Sequence, residues 1–367
     1  MPHDQITITA RAFSPLLQEK IDLLKSRRCP ISLGSVNFDS PLILAPMSAI
    51  CTAPFRLLME DLGAGGTVSE LISCHGINYK NKKTTEMLRL DPREKNVGLQ
   101  LFGEDGYAMG EAAKVAQEFG AKFIDINMGC PVKKVVTKGG GSALLRETTK
   151  LAPFFNQIKK SIQIPLTIKI RVGWDDNSLN ASEVIHIAKE SGIEFVAIHG
   201  RTRAQAYTGH ARWDFVEEVA KNSPLPVIGN GDLHTPYLVR QRLRKTTCQA
   251  LMLGRGPLRN PFIFLESLKE ENEDLEFFGA DYLEVIKRYF DYLVLSTDNE
   301  RTISIQIRKM MVWFSAGFPN VTYFRGKVFE LYNYRDSLNL AEDYFLGLEK
   351  RRKFLPEDEA FMAGGHG

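Results

Sequence analysis

Pro41-Leu42-Ile43-Leu44-Ala45-Pro46-Met47-Ser48 is a strand-sized apolar run that ends in proline and a small polar residue. A chain alternating strands and helices folds either as an open doubly wound sheet or as a closed (β/α)8 barrel. The open sheet carries a glycine-rich phosphate loop directly after an early strand. Ala45-Pro46-Met47-Ser48 is no such loop, so the run points to the barrel. Outward from 42–47, further β-rich runs lie at 66–72, 97–102, 123–128, 166–172, 195–199, 226–230 and 250–254. Between them, 110–119, 151–161, 182–191, 214–221 and 237–243 have apolar residues at helical spacing. Eight strands alternating with helices predict a (β/α)8 TIM barrel.

Beyond about Arg259 strand-like runs give way to helical patterns at 281–295, 302–314, 323–332 and 341–353. They read as a smaller α-helical domain, most simply a bundle. The expected division is an N-terminal extension over 1–35, a catalytic barrel over 36–265, a helical domain over 266–355 and a flexible tail over 356–367. The stretch before 27 is expected to be mobile or packed outside the barrel. Nine carboxylates against Lys287 and Arg288 make residues 271–300 acidic, whereas from 301 to 353 ten bases face five acids.

Composition narrows the class. Of 367 residues, 44% are hydrophobic and 25% charged, which excludes a disordered or collagen-like chain. The net charge of +3 places any nucleic-acid surface in a local patch. Apolar runs fall short of the roughly 18 residues of a membrane helix, and the N-terminus lacks a signal pattern. A soluble, cytoplasmic protein without membrane contact is expected. The five cysteines (Cys29, Cys51, Cys74, Cys130 and Cys248) are scattered without a Cys-x-x-Cys pair, so neither a disulfide framework nor a metal site is expected.

In a barrel the site lies at the C-terminal ends of the strands. There the chain places Pro46, Met47, Ser48, Glu70, Gln100, Asp125, Asn127, Cys130, Lys169, Arg171, His199 and Arg201. The last two strands end in Asn230-Gly231-Asp232 and Gly254-Arg255-Gly256. Such loops after strands seven and eight bind phosphate, because glycine lets backbone N–H groups approach the anion. Lys169 and Arg171 share one face of their strand. Pointing inward, they need an anion: Glu70 or Asp125 as a structural partner, or an anionic ring as ligand. Cys130, before Pro131 at the mouth of strand four, is placed to act as a general acid, since an unshifted thiol is mostly protonated at pH 7.

At these residues the chain resembles the tRNA-dihydrouridine synthases, and most closely their bacterial B-type branch. The matching blocks are Ala45-Pro46-Met47, Gly98-Leu99-Gln100-Leu101-Phe102-Gly103, Asp125-Ile126-Asn127-Met128-Gly129-Cys130-Pro131 and Gly139-Gly140-Gly141-Ser142-Ala143-Leu144-Leu145. Lys169-Ile170-Arg171, His199-Gly200-Arg201-Thr202-Arg203, Asn230-Gly231-Asp232 and Gly254-Arg255-Gly256 complete them in order. The resemblance implies FMN-dependent reduction of the C5–C6 double bond of specific tRNA uridines to 5,6-dihydrouridine, with NADPH or NADH as reductant. It implies FMN bound by Pro46, Met47, Ser48, Gln100, Lys169, His199, Asn230, Gly231, Asp232, Gly254 and Arg255, and Cys130 as proton donor to C5. For tRNA the expected contacts are Asn127, Arg171, Arg201, Arg308 and Lys309, and a monomer is expected. Cys51-Thr52-Ala53-Pro54-Phe55-Arg56 departs from the family's Thr-Asp-Arg-Pro-Phe-Arg-like run. Thr52 is expected to cap the next helix there, and Cys51 to be a second thiol near the mouth. The competing readings are a dihydroorotate-dehydrogenase-like enzyme on a free pyrimidine, and an RNA-binding barrel without chemistry. A basic helical segment argues against the first, and Cys130 with Lys169 against the second.

Overall fold

A computed structural model of the protein describes residues 9–355. Eight parallel strands close into a barrel in chain order: β3 (Leu42–Leu44), β4 (Gly66–Ser73), β5 (Val97–Phe102), β6 (Phe123–Met128), β7 (Leu166–Arg171), β8 (Val196–His199), β9 (Val227–Asn230) and β10 (Ala250–Leu253), which pairs with β3. Proline at 46 leaves Ala45-Pro46-Met47 as rim, so β3 is shorter than expected. The register sets Asn127 beside Lys169, Arg171 beside His199, and His199 beside Asn230. Polar residues distant in sequence thus form one row at the C-terminal rim.

An antiparallel hairpin, β1 (Ile31–Leu33) and β2 (Val36–Phe38), precedes the barrel and was not expected. Three-residue strands give too short a period-2 signal to read. Leu33, Val36 and Phe38 plug the opposite, N-terminal end of the barrel. Phe38 meets the edges of Phe123 and Phe195, both with ring centroids at 5.9 Å. Gly98 makes room for this plug: a Cβ there would stand 2.2 Å from the Phe123 ring.

A helix also forms over Pro15–Lys25. Ser14 accepts from the Leu17 N–H at its start, and Leu17, Ile21 and Leu24 are buried. Four of the carboxylates that make 271–300 acidic hold this N-terminal segment. Arg11 reaches Asp291 at 2.7 and 2.8 Å, and Ser14 reaches Glu284 at 2.7 Å. Lys20 reaches Asp281 at 2.9 Å, and Arg27 pairs with Glu273. Much of the acidic run is therefore an internal dock rather than a solvated face.

Helices Gly279–Ser296, Glu300–Phe314, Val321–Glu330 and Tyr334–Gly347 follow. The last starts earlier than expected because Asn333 caps it, accepting from the Asp336 N–H. Its C-terminal continuation, including Lys353, is not helical. Lys353, one of the bases counted above, is half-buried and donates to the carbonyls of Arg259 and Phe314. The helical layer shares one apolar cluster with the barrel, where the Phe55 and Tyr289 rings meet at 6.5 Å. Among the described residues no helix is long and apolar enough to cross a membrane. The expected tail, 356–367, lies outside the described residues.

Candidate active site

A cavity of about 250 Å³ opens at the C-terminal rim. All eleven residues expected to hold a cofactor line it, together with Asn127, Cys130 and Arg171. Arg201 lies behind the lining, and Arg308 and Lys309 lie on the helix Glu300–Phe314. Gly231 adopts φ 133°, and a Cβ there would stand 2.6 Å from that of Ala211, so glycine is required where this loop folds back.

The expected structural partners of Lys169 are engaged elsewhere. Glu70 accepts from the Ala49 N–H at 2.6 Å, and Asp125 from Gln100 and Thr167. Lys169 instead donates to Asn230 Oδ1 at 3.1 Å, and Asn230 donates to the Met252 carbonyl. Burial, helped by the charge of Arg171, brings its ammonium down to about 8. His199 is pushed well below its usual range by burial and by Arg171, Lys169 and Arg201, so it stays neutral at pH 7.

The arginines at the rim are anchored. Arg171 donates to the carbonyls of Gly129, Thr202 and Ala206 at 2.7–2.8 Å. Arg201 grips Asp232 at 2.7 Å and the carbonyls of Thr208 and Gly209. Hydrogen bonds from His234, Arg201 and the Ala211 N–H outweigh burial and hold Asp232 below the usual carboxylate range. Its carboxylate therefore balances Arg201 and Arg255 and would repel a phosphate, to which only its backbone can donate. Lys169, Arg171 and Arg255 outnumber Asp232, the one carboxylate among the lining residues. Such a donor set suits an anion.

Cys130 is half-buried at the mouth. Its carbonyl accepts from the backbone and side chain of Ser142, in the glycine-rich loop that follows. Burial raises its pKa, only partly offset by the Val132 N–H and Arg171, so the thiol is protonated at neutral pH. Cys51 is not at the mouth: it is fully buried, donates to the Ala45 carbonyl at 3.1 Å and is pushed up to about 12 by burial. Thr52 occupies the N-cap position of Ala53–Asp61, but its side chain makes no capping hydrogen bond.

Tyr207 and His234 also line the cavity and were missed. Tyr207 stands between Arg171 and Arg255, its ring centroid 5.6 and 5.7 Å from their guanidinium carbons. An aromatic four residues after Arg203 in a loop was its only sequence signal.

Fold and site define a (β/α)8 barrel enzyme with a cationic cavity and a protonated thiol at its mouth. The model of the dihydrouridine synthase family matches residues 43–347, and the chain belongs to that family. It is 36% identical over 301 residues to a Rickettsia prowazekii protein named "Probable tRNA-dihydrouridine synthase", covering 80% of this chain and 91% of that one. It is 36% identical over 303 residues to tRNA-dihydrouridine synthase B of Pseudomonas putida, covering 81% and 89%. The same enzyme of Pasteurella multocida is 34% identical, covering 85% and 95%. Among solved structures, histamine dehydrogenase from Rhizobium sp. 4-9 superposes with a TM-score of 0.52 at 12% identity. That match covers 73% of this chain and 51% of the other, and it supports the barrel fold alone.

Proposed function

We propose that this protein reduces the C5–C6 double bond of particular uridines in tRNA, with FMN as its flavin and NADPH, or NADH, as reductant. One observation carries the reading. In a chain of this family, eleven residues spread from Pro46 to Arg255 converge with Cys130 on one cationic cavity. The residues fit FMN. Asn230-Gly231-Asp232 and Gly254-Arg255 offer backbone donors and a charge to the phosphate, and the half-buried Lys169 suits a ring that gains negative charge. When bound and reduced, FMN supplies hydride for C6 of uracil.

The chain's own residues do the rest. Cys130 holds a proton for C5, and Arg171 braces its loop through the Gly129 carbonyl. Neutral His199 donates or accepts at the ring without adding charge. Arg171 and Arg201, both anchored, shape the rim, whereas Asn127 stands inside the cavity. Lys309 is close enough for its charge to act on Glu70 at the rim, so it is placed to meet a tRNA phosphate. Arg308 supports that surface. Tyr323, Phe329 and Tyr332, each at least 70% exposed, offer stacking faces for unpaired bases.

The test incubates purified, FMN-supplemented protein with NADPH and unmodified tRNA and maps dihydrouridine by mass spectrometry. Retained flavin and site-specific dihydrouridine are expected. Failure to retain any flavin, or flavin turnover without dihydrouridine, would overturn the reading.

A further inference from the structure

Four buried polar side chains, Gln100 and Asn127 in the cavity wall and Asp125 and Thr167 behind it, form one directional chain of hydrogen bonds. Thr167 Oγ1 donates to Asp125 Oδ1 at 2.7 Å, and Gln100 Nε2 donates to Asp125 Oδ2 at 2.7 Å. Asn127 Nδ2 donates to Gln100 Oε1 at 2.9 Å. Asn127 Oδ1 then accepts the N–H of Cys130 at 2.9 Å and that of Gly129 at 3.3 Å. Gln100, Asp125, Asn127 and Thr167 are between 0 and 8% exposed, so water does not scramble the order.

Primary amides have two unlike ends, one donating and one accepting. An ionised carboxylate only accepts, so Asp125 determines which end of Gln100 faces it. Gln100 then presents its oxygen to Asn127, and Asn127 turns its oxygen to the loop that carries the thiol. If Asn127 were reversed, its NH2 group would meet two backbone N–H donors. We infer that Asp125 is a positioning residue for Cys130: through Gln100 it orients the Asn127 amide, and this holds the thiol loop over the cavity.

This role rests on the proposed place of Cys130 in the reaction, but the relay can be read without flavin or tRNA. Protein labelled with 15N-cysteine reports the Cys130 amide, with the Cys51 amide, which donates to the Met47 carbonyl, as an internal reference. Asp125→Leu leaves the Gln100 NH2 group without its acceptor and frees both amides. Loss of a hydrogen bond of about 1 kcal/mol should speed Cys130 exchange about five- to tenfold, with Cys51 nearly unchanged. Asp125→Asn keeps an oxygen for Gln100 while its NH2 group turns to Thr167, so Cys130 should stay protected. Gln100→Leu removes the middle link and should give the same signature as Asp125→Leu, which keeps the test decisive if the latter does not fold.

With FMN and tRNA supplied, Asp125→Leu should slow oxidation of pre-reduced flavin by tRNA more than it slows flavin reduction by NADPH. The relay is overturned if Cys130 exchange does not change, if Asp125→Asn behaves like Asp125→Leu, or if Cys51 accelerates equally. If the exchange results hold but the wild type makes no dihydrouridine, the relay stands and the proposed function falls.

Discussion

Two thiols near one rim are separated by burial. Cys130 is half-buried and protonated, whereas Cys51 is sealed in the core against the Ala45 carbonyl. Cys130→Ala should retain flavin and oxidise NADPH normally, yet form dihydrouridine about 10²–10⁴-fold more slowly, the usual contribution of a positioned general acid. Cys51→Ala should leave both half-reactions near normal. Single-turnover oxidation of pre-reduced flavin by tRNA distinguishes them, and collapse in Cys51→Ala alone would move the acid. Lys169 supplies a pH signature. Because burial lowers its pKa to about 8, the cation is present below that pH and lost above it. If it supports the flavin, FMN affinity should weaken as pH rises through 8 and level off once the ammonium is gone. Lys169→Met should bind more weakly with no such step. Titrating FMN fluorescence quenching across this range checks both.

Within the helix Glu300–Phe314, adjacent residues serve different ends because successive side chains point about 100° apart. Arg308 turns to the carbonyls of Ser304 and Leu331 and ties down the connection between Val321–Glu330 and Tyr334–Gly347. The charge of Lys309 acts on Glu70 at the rim. Lys309→Glu should therefore weaken tRNA binding and reduce the slope of log affinity against log salt by about one, with the melting temperature unchanged. Arg308→Glu should lower the melting temperature first, since a backbone carbonyl loses its partner. Filter binding over a salt series and a thermal melt of each variant check this. An unchanged salt slope in Lys309→Glu would place the phosphate contact elsewhere.

Across the whole molecule, barrel and helical layer share one apolar core. Phe55, Leu58 and Leu62 from the barrel lie in the same buried cluster as Ile286, Tyr289, Phe314 and Phe345, and the N-terminal helix adds Leu17, Ile21 and Leu24. Calorimetry of the full chain should show a single cooperative transition. Residues 266–355 expressed alone should show no cooperative melt, because the faces that pack on the barrel would be exposed to water. Two resolved transitions in the full chain would refute the shared core.

The barrel was legible because eight apolar runs separated by helical spacing report local periodicity, which each segment carries independently of the rest. The glycines at 231 and 254, Lys169 and Cys130 were legible because their residue types are costly or unusual at strand ends. The hairpin Ile31–Phe38 was not, since strands of three residues repeat too few times to show a period. Nor was the fate of the charges. Glu273, Asp281, Glu284 and Asp291 find partners more than 200 residues away, and Lys353 is tied to the carbonyls of Arg259 and Phe314. Cys51 and Cys130 are alike as residues, and only packing seals one and opens the other. The order Asp125, Gln100, Asn127, Cys130 joins neighbouring strands in register, so no single segment contains it. Local propensity is written along the chain, whereas the partner of a charge, the burial of a thiol and the direction of an amide are set by which strands come to lie side by side.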